Sequence, residues 1–548
     1  MNKKFMSVLC LMSFLLFVAI TKADENTLPP VSGDDTQLSS LGKVFVRKFR
    51  LEGNTAFSEK DFAPILSPFE NREITAEELQ EVKNKITRFY IDNGYITSGA
   101  VIPDQKMEDG MITMKIIEGR LTQINVSGNK RLRSGYVKKR AELAAGNKPL
   151  NINTLQDQLK LIKQDPHIDT VNANLSPGLK PGESQLDIEI EELRPYHLSM
   201  RFNNHNSPNI GAYRGEFELS HNNLTGLGDS LTAQYDITEG LDDYSIEYSI
   251  PFTRRDTTLT LKTDRADAIV VAEPFDKLNI ESRTKTYSAA VRHPFFKNLA
   301  REISAEIKLE KRDSEIKFTD KGAAFSEGVP DYNQEKSGQT TVSVLRVSQE
   351  WVERGMAQVI AVRSTFSFGL DLFNPTINDT GPDGRFFTWL GQFQWLRRFD
   401  FLNSQTLFRT DFRYSDKPLL PVEKFSIGGA MTVRGYRENQ ITTDNGLASS
   451  LEWRVPIMKV KFPWLSKAQT DGELQLCPFF DYGSGWNTDN PDPSPKDIYS
   501  IGLGARWAVN KDIRAEIYWG KSLKSVEGSD EHDIQDDGIH FQISADIF

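Results

Sequence analysis

Beyond its first twenty residues, this 548-residue chain has no apolar run of about eighteen residues, the length that a transmembrane helix needs. It has only two cysteines, Cys10 and Cys477. The net charge of −10 argues against a general nucleic-acid binder. The seven histidines lack metal-ligand spacing, and no Gly-Lys-Ser or Gly-Lys-Thr follows a glycine-rich loop. The sequence therefore predicts no metal, no cofactor and no catalytic residues, and we do not expect an enzyme.

The first residues have the pattern of a secretory signal peptide. A basic start precedes an apolar stretch, residues 5–20, and small residues lie close to the expected cleavage point after Ala23. This predicts a signal peptide over residues 1–23 that is removed on export. Its loss leaves Cys477 alone, so we expect no internal disulfide. Residues 24–42 are polar and proline-containing, which indicates a flexible arm.

An internal repeat follows the arm. The segment Phe49–Thr55 corresponds to Ile124–Lys130, and the Gly-Asn turns of the two copies lie 75 residues apart. In each copy a strand leads into the turn, an amphipathic helix follows, and further strands close the unit. The helices have apolar residues spaced for one buried face, at Leu79, Val82, Ile86, Phe89 and Tyr90 and then at Leu155, Leu159 and Ile162. The repeat predicts two small α+β modules, at residues 43–120 and 121–193.

From Tyr196 onwards, strict two-residue alternation replaces helical periodicity. Apolar segments of about nine to eleven residues, the length of a tilted membrane-spanning strand, continue over residues 194–548 without a clear helix. Backbone groups in lipid must all be paired, so the sheet must close on itself. This pattern predicts a β-barrel membrane protein of about sixteen antiparallel strands, whose lumen is wide enough for an aqueous channel. A porin would fit the barrel but does not need the two modules.

Four stretches of the chain share their pattern and their order with a known family. They are Asn93–Gln105 with Glu118–Arg120, Leu175–Gly178 with Pro181–Ser184, Phe425–Glu438 and Phe479–Gly483. Through them the chain resembles the two-partner secretion (TpsB) outer-membrane transporters of the hemolysin-activator and filamentous-hemagglutinin type, within the superfamily that contains BamA. The resemblance implies that both modules are POTRA domains. It also implies that a loop of the barrel, loop six at about residues 417–443, folds inward.

The resemblance further implies functional residues on loop six and on the strand that faces it. These are the loop-six motif and its lumen partners, Val433, Arg434, Gly435 and Tyr436 with Asp481 and Gly483. The residues themselves are compatible with this assignment, because the apolar phase of strand 474–483 places Asp481 on the lumen side. A carboxylate there needs a cation, and Arg434 is the candidate that the resemblance supplies. The alternative is that Arg434 is one more solvated lumen charge.

The implied function is transport in the bacterial outer membrane, with the POTRA domains in the periplasm. Such a protein recognises an unfolded partner polypeptide, a large exported β-helical protein, and secretes it through the barrel. Its other partners are outer-membrane lipids and, during biogenesis, the barrel assembly machinery, with no nucleic acid. The alternative function is a BamA-type factor that inserts other barrels.

Three further expectations concern details of the chain. Ile86, Phe89, Tyr90 and Tyr95 either contact a client or pack the core of the first module. Many family members carry an N-terminal plug helix, but the short polar arm leaves little room for one. The terminal Phe548 is out of phase with the last strand, so it either lies beyond that strand or follows a bulge.

Overall fold

The computed structural model of the chain describes Leu38 and residues 42–106, 109–146, 149–273, 275–318, 321–322, 338–378, 381–526 and 532–548. The expected signal peptide and most of the polar arm, including the segment where a plug helix would lie, fall outside the described residues. Within them, two modules of mixed helix and strand precede a long antiparallel sheet. No helix of the described residues is long and apolar enough to cross a membrane.

The first module contains two helices and five short strands. They are β1 (Lys43–Val46), β2 (Lys48–Glu52), α1 (Glu59–Leu66), β3 (Arg72–Thr75), α2 (Ala76–Asp92), β4 (Gly99–Val101) and β5 (Met111–Ile117). Strands β2, β5 and β4 form a sheet in that order, with β2 parallel to β5. A capping box starts α2, since Thr75 Oγ1 accepts from Glu78 N at 3.3 Å and Glu78 Oε2 accepts from Thr75 N at 2.9 Å. Ile86 and Tyr90 on α2 are fully buried, so they pack the interior.

The second module repeats this arrangement. Its elements are β6 (Arg120–Ser127), α3 (Ser134–Ala145), α4 (Ile152–Lys163), β7 (Ile168–Pro177) and β8 (Glu183–Glu192). The sheet order is β6-β8-β7, with β6 parallel to β8. Leu155 and Ile162 of α4 are buried against the sheet with Leu186 and Ile188. A polar side chain caps α4, because Asn151 Oδ1 accepts from Asn153 N at 3.0 Å.

The two Gly-Asn turns play the same structural role in both modules. Gly53 and Gly128 have φ angles of +88° and +79°, which L side chains rarely adopt. A Cβ on Gly53 would lie 2.6 Å from the carbonyl oxygen of Ile116, and a Cβ on Gly128 would lie 2.2 Å from that of Ile190. Each turn thus presses on the strand that runs parallel to its own. The sequence repeat is therefore also a structural repeat.

The rest of the chain forms a closed antiparallel barrel, as predicted. Its strands are β9 (Tyr196–Asn203), β10 (Arg214–Asn222), β11 (Ser230–Ile237), β12 (Leu241–Pro251), β13 (Thr258–Ile269), β14 (Glu281–Lys297), β15 (Arg301–Phe318), β16 (Lys321–Gly322), β17 (Gln339–Arg354), β18 (Gln358–Gly369), β19 (Phe387–Arg398), β20 (Gln405–Ser415), β23 (Asn445–Lys459), β24 (Glu473–Trp486), β25 (Asp497–Ala508), β26 (Ile513–Ser522) and β27 (Ile539–Asp546). Sixteen of these are long, while β16 only extends the β15 hairpin. Strand β27 pairs with β9 and closes the sheet.

The two faces of the barrel differ in polarity. Outward-facing Leu219, Ile246 and Ile517 are 53%, 53% and 50% exposed, which suits contact with lipid. The inward face carries charged pairs such as Arg292 with Glu302 at 2.7 Å. The longest strands, β14, β15 and β17, have 17, 18 and 16 residues and exceed the predicted length most. Strand β27 ends at Asp546, but pairing with β9 continues: Ile547 N donates to the carbonyl oxygen of Leu198 at 2.8 Å, and Leu198 N donates to that of Phe548 at 3.3 Å. Two residues thus lie opposite Leu198, so Phe548 follows a bulge just beyond the regular strand.

The second module is held against the periplasmic turns of the barrel. Arg133 N donates to the carbonyl oxygen of Gly226 at 2.9 Å, and Arg140 forms an ion pair with Asp256. The Arg140 guanidinium lies 3.4 Å from the centroid of the Tyr136 ring, whose hydroxyl donates to Asp165 at 2.6 Å. Burial opposes ionisation of Asp165, but hydrogen bonds from the neighbouring side chains outweigh it and lower the pKa of this carboxyl. Asp165 therefore stays charged and orients this contact.

Candidate functional site

Loop six connects β20 to β23, over residues 416–444, and folds into the barrel. It contains a short hairpin of β21 (Phe425–Ile427) and β22 (Ile441–Thr443). Its apolar side chains pack together with a residue of β25 in a buried cluster, namely Ile427, Val433, Tyr436 and Ile441 with Ile498. The tip of the loop is thus anchored to the inner wall and occupies lumen space.

Arg434 at the tip of loop six contacts Asp481 on β24 through its backbone and its side chain. Arg434 N donates to Asp481 Oδ2 at 3.0 Å, Nε to the same oxygen at 2.8 Å, and Nη2 to Oδ1 at 2.9 Å. The side chains of Arg434 and Asp481 are 3% and 0% exposed. The two-pronged contact fixes the orientation of the guanidinium as well as its position. The structure therefore brings together the two charged residues singled out from the sequence.

A second carboxylate and two aromatic rings complete the environment of Arg434. Its Nη1 forms an ion pair with Glu452 of β23, and its Nη2 donates to Ser450 Oγ at 3.1 Å. The guanidinium carbon lies 3.6 Å from the ring centroid of Phe479 and 4.7 Å from that of Tyr518. Desolvated cation–π contacts of this kind are favourable by about 2 kcal/mol. Arg434 is thus held by carboxylates in one direction and by aromatic faces in another.

The glycines of the two motifs allow the loop and the wall to touch. A Cβ on Gly483 would lie 2.3 Å from Cγ2 of Ile427 and 2.8 Å from Cγ2 of Val433. Gly435 has a φ of +92°, and a Cβ there would lie 2.7 Å from the carbonyl oxygen of Gly520 on β26. At Gly435 two backbones pack against each other, and at Gly483 the wall backbone packs against two loop side chains, so neither position has room for a Cβ. Both glycines are therefore required for the docked position of the loop.

Val433 and Tyr436 flank Arg434 and are both buried. Val433 has no exposed surface and lies over Gly483. The Tyr436 hydroxyl is 3.0 Å from the carbonyl oxygen of Tyr499 and accepts from Lys524 N at 3.2 Å. The motif thus contacts β24 through its valine and arginine and reaches β25 through its tyrosine.

Sequence reasoning missed Glu452, Phe479 and Tyr518. Phe479 carried a signal, because it lies two residues before Asp481 and so shares its inward phase. An aromatic residue facing an otherwise polar lumen indicates that something packs on it. Glu452 and Tyr518 gave no such signal, since their convergence on Arg434 depends on the register of four strands.

In the part of the chain that the structure describes, no group of three His, Cys, Asp or Glu side chains is placed to hold a metal ion. Cys477 is free and buried. The side-chain N–H groups of Arg434 find acceptors in Asp481, Glu452 and Ser450, so the site is a buried cluster of ion pairs and hydrogen bonds.

A closed sixteen-stranded barrel with small α+β modules before it and a loop folded inside it defines a class of protein, the outer-membrane β-barrels with periplasmic POTRA domains. Comparison with known families agrees. Residues 182–507 match the family described as "Haemolysin secretion/activation protein ShlB/FhaC/HecB", and residues 44–119 match "POTRA domain, ShlB-type". The chain belongs to this haemolysin secretion/activation family and is a two-partner secretion transporter of the outer membrane.

Individual relatives are distant but similar over most of their length. The heme/hemopexin transporter protein HuxB of Haemophilus influenzae strain 86-028NP is 21% identical, over 86% of this chain and 82% of that protein. The outer membrane transporter CdiB of Dickeya dadantii is 20% identical, over 84% and 80%.

Solved structures share the fold. CdiB from Escherichia coli superposes with a TM-score of 0.69 at 18% identity, over 97% of this chain and 93% of that one. BamA from Haemophilus ducreyi lacking POTRA domains 1–3 gives 0.58 at 14% identity, over 92% and 100%. The barrel architecture is thus shared with both CdiB and BamA, while the family match favours the transporter.

Proposed function

We propose that loop six is the gate of this transporter and that Arg434 and Asp481 are its lock. The observation that carries the proposal is the fully desolvated contact between them inside the lumen. A polypeptide in transit needs the space that the loop fills, so the loop must leave its docked position during secretion. Because desolvation offsets much of the Coulomb attraction of a buried pair, the contact serves to define one docked position more than to add stability.

Val433, Gly435, Tyr436 and Gly483 support the lock by their fit. Val433 and Gly483 form a close apolar contact, and Gly435 lets the loop backbone approach β26. Tyr436 attaches the loop to the backbone near the outer end of β25. Interdigitated packing of this kind has few alternative arrangements. The motif therefore acts as one rigid unit that docks or undocks as a whole.

We further propose that residues 43–120 and 121–193 are two POTRA domains that receive the unfolded partner, with residues 194–548 as the conducting barrel. The outer edge of β7, ten residues long, has no strand partner among the described residues. An extended client can add to such an edge by backbone pairing, which tolerates many sequences. Ile86 and Tyr90 pack the interior and are not proposed as client contacts.

The partner in this proposal is a large exported β-helical protein that crosses unfolded and folds outside. Folding beyond the membrane biases the direction, so transport proceeds without a cofactor and without a catalysed chemical step. The apolar outer face of the barrel contacts outer-membrane lipids, and the barrel assembly machinery inserts the barrel during biogenesis. A BamA-type insertion role is less well supported, because only the fold and not the family match favours it.

The test of this function is depletion of the protein in its host. A transporter of one client leaves the other outer-membrane proteins at normal levels and abolishes surface delivery of one large exported protein, whose gene we expect nearby. A general fall in outer-membrane proteins would contradict the transporter role and favour insertion. Restoring the wild-type gene provides the control.

A further inference from the structure

The first limb of loop six, residues 416–424, lies on a different part of the barrel wall from the Arg434 lock. Leu419 and Leu420 are buried against Val342 and Val344 of β17, with Val422 packed beside them. The two valines belong to the inward phase of β17, which continues with polar residues towards the periplasm. An apolar pair in a wet lumen requires a covering partner, and the first limb of the loop provides it.

Glu423, directly after this apolar contact, is buried among arginines. Its carboxylate accepts from Arg346 Nη2 at 2.9 and 3.0 Å. Arg312 and Arg413 lie 3.5 and 3.9 Å from its two oxygens. The Glu423 side chain is 2% exposed. A buried carboxylate without cations would be strongly destabilising. The three arginines offset the cost of burying Glu423.

The arginine pocket, formed by Arg312 of β15, Arg346 of β17 and Arg413 of β20, contains more cations than its own wall neutralises. Glu310 is the wall carboxylate that contacts it, and Glu310 also pairs with Lys308 at 2.6 Å. Nε and Nη2 of Arg413 are buried and find no hydrogen-bond acceptor among the described residues. A cavity of about 360 Å³ adjoins them. The pocket therefore has hydrogen-bond donors without an acceptor and an excess of positive charge, so it attracts an anionic acceptor.

We propose that the arginine pocket is a carboxylate-binding site that Glu423 fills as a second, separate latch of loop six, and that it becomes an anion site facing the channel when Glu423 leaves. The inference rests on the proposed function, in which loop six gates the pore. The two latches are separate because their wall residues are on different strands: the pocket lies on β15, β17 and β20, whereas the Arg434 lock lies on β23 and β24.

The two sides of this latch have opposite electrical consequences. Replacing Glu423 by Gln releases the loop and leaves the arginines in excess, so the opened channel prefers anions. Replacing Arg346 by Gln also releases the loop but removes one cation, so the opened channel does not gain that preference. A merely structural role for either residue would not predict this difference in ion selectivity.

The experiment uses the purified full-length protein in planar lipid bilayers under a KCl gradient. The variants are Glu423→Gln, Arg346→Gln, Arg434→Ala and the control Glu306→Gln. Glu306 is a carboxylate of the same wall that pairs with Arg363 at 3.3 Å and does not touch loop six. Heat-modifiable mobility on a gel shows that each barrel is folded, and only folded preparations are compared.

We expect Glu423→Gln and Arg346→Gln to raise the open probability by about tenfold or more, as the loss of a charge-assisted hydrogen bond implies. We also expect the reversal potential to move towards that of chloride for Glu423→Gln alone, while Glu306→Gln behaves like the wild type. A closed Glu423→Gln channel beside an open Arg434→Ala channel would overturn the second latch but leave the gate. If all variants stayed closed, the gate itself would fail as well. An equal shift for Glu306→Gln would also overturn the proposal, because any lumen carboxylate would then serve.

Discussion

Replacing Arg434 by Ala is the sharpest test of the Arg434–Asp481 lock in loop six. The substitution leaves Asp481 and Glu452 with side chains that are 0% and 3% exposed and without their shared cation. Breaking a buried pair by removing one partner costs about 3–5 kcal/mol. If this cost falls on the docked state of the loop, it shifts the docked-to-undocked ratio by about two to four orders of magnitude. Loop six should then be undocked for much of the time.

Two assays read this shift in opposite senses. In bilayers the variant should conduct more often than the wild type, because the loop no longer fills the lumen. In cells, secretion of the partner should fall while the amount of inserted barrel stays unchanged, because the loop loses its one defined resting position. In both assays Arg434→Lys should fall between the wild type and Arg434→Ala, since an ammonium keeps the charge but cannot form the two-pronged contact.

The matched control is Arg201→Ala. Arg201 of β9 is a lumen arginine that pairs with Glu216 and Glu218 at 3.0 and 3.1 Å, is 37% exposed, and does not belong to the loop-six site. The Arg201→Ala substitution removes the same charge from the lumen without altering the Arg434–Asp481 lock. A folded Arg434→Ala barrel that conducts and secretes like the Arg201→Ala variant would refute the reasoning.

Further predictions concern other parts of the molecule. Gly483→Ala should open the channel as Arg434→Ala does, because its Cβ would overlap Ile427; Gly355→Ala, whose Cβ would meet nothing closer than 3.6 Å, is the conductance control, and equal behaviour of the two would contradict the fit. Deleting residues 44–118 should abolish secretion but leave a barrel that conducts in bilayers, and continued export would exclude client capture by the first module. Folding lowers the pKa of Asp165, so its charged form stabilises the fold at pH values above the unfolded-state pKa of about 3.9. This stabilisation is lost as pH falls through the lower pKa of the folded state. Hydrogen exchange in α3 of the Asp165→Asn variant should therefore depend less on pH below about 4 than in the wild type, and an unchanged profile would exclude this role.

The barrel was predictable because lipid on one side and water on the other impose a two-residue period on every strand that crosses. The predicted strand lengths failed where a strand extends beyond the lipid, because the alternation ends there. On β15, Leu309 faces outward but Lys311, Asp313 and Glu315 follow it in the same phase, so the strand continues beyond the lipid without alternation. The lengths of β14, β15 and β17 were missed for this reason.

The modules were predicted as repeats, but one helix of each was missed. Helix α1 has only eight residues and contains Pro64, and α3 has little apolar periodicity across Lys138, Lys139 and Arg140. Helix α1 is held by Phe62, whose ring packs against Phe89 of α2, and α3 packs on β6; local sequence encodes neither contact. Arg434 and Asp481 could be found from a motif and a strand phase, whereas Glu423 and its three arginines meet only because β15, β17 and β20 curve around one lumen.

Loop six binds strands on both sides of its own place in the chain. Glu423 contacts β15, β17 and β20, which are synthesised before the loop, and Arg434 contacts β23 and β24, which are synthesised after it. The loop is thus an internal strut that ties the earlier strands to the later ones across the lumen. A barrel that ends before β23 offers Arg434 neither Glu452 nor Asp481. In the proposed gate, closure of the channel therefore depends on formation of the later strands.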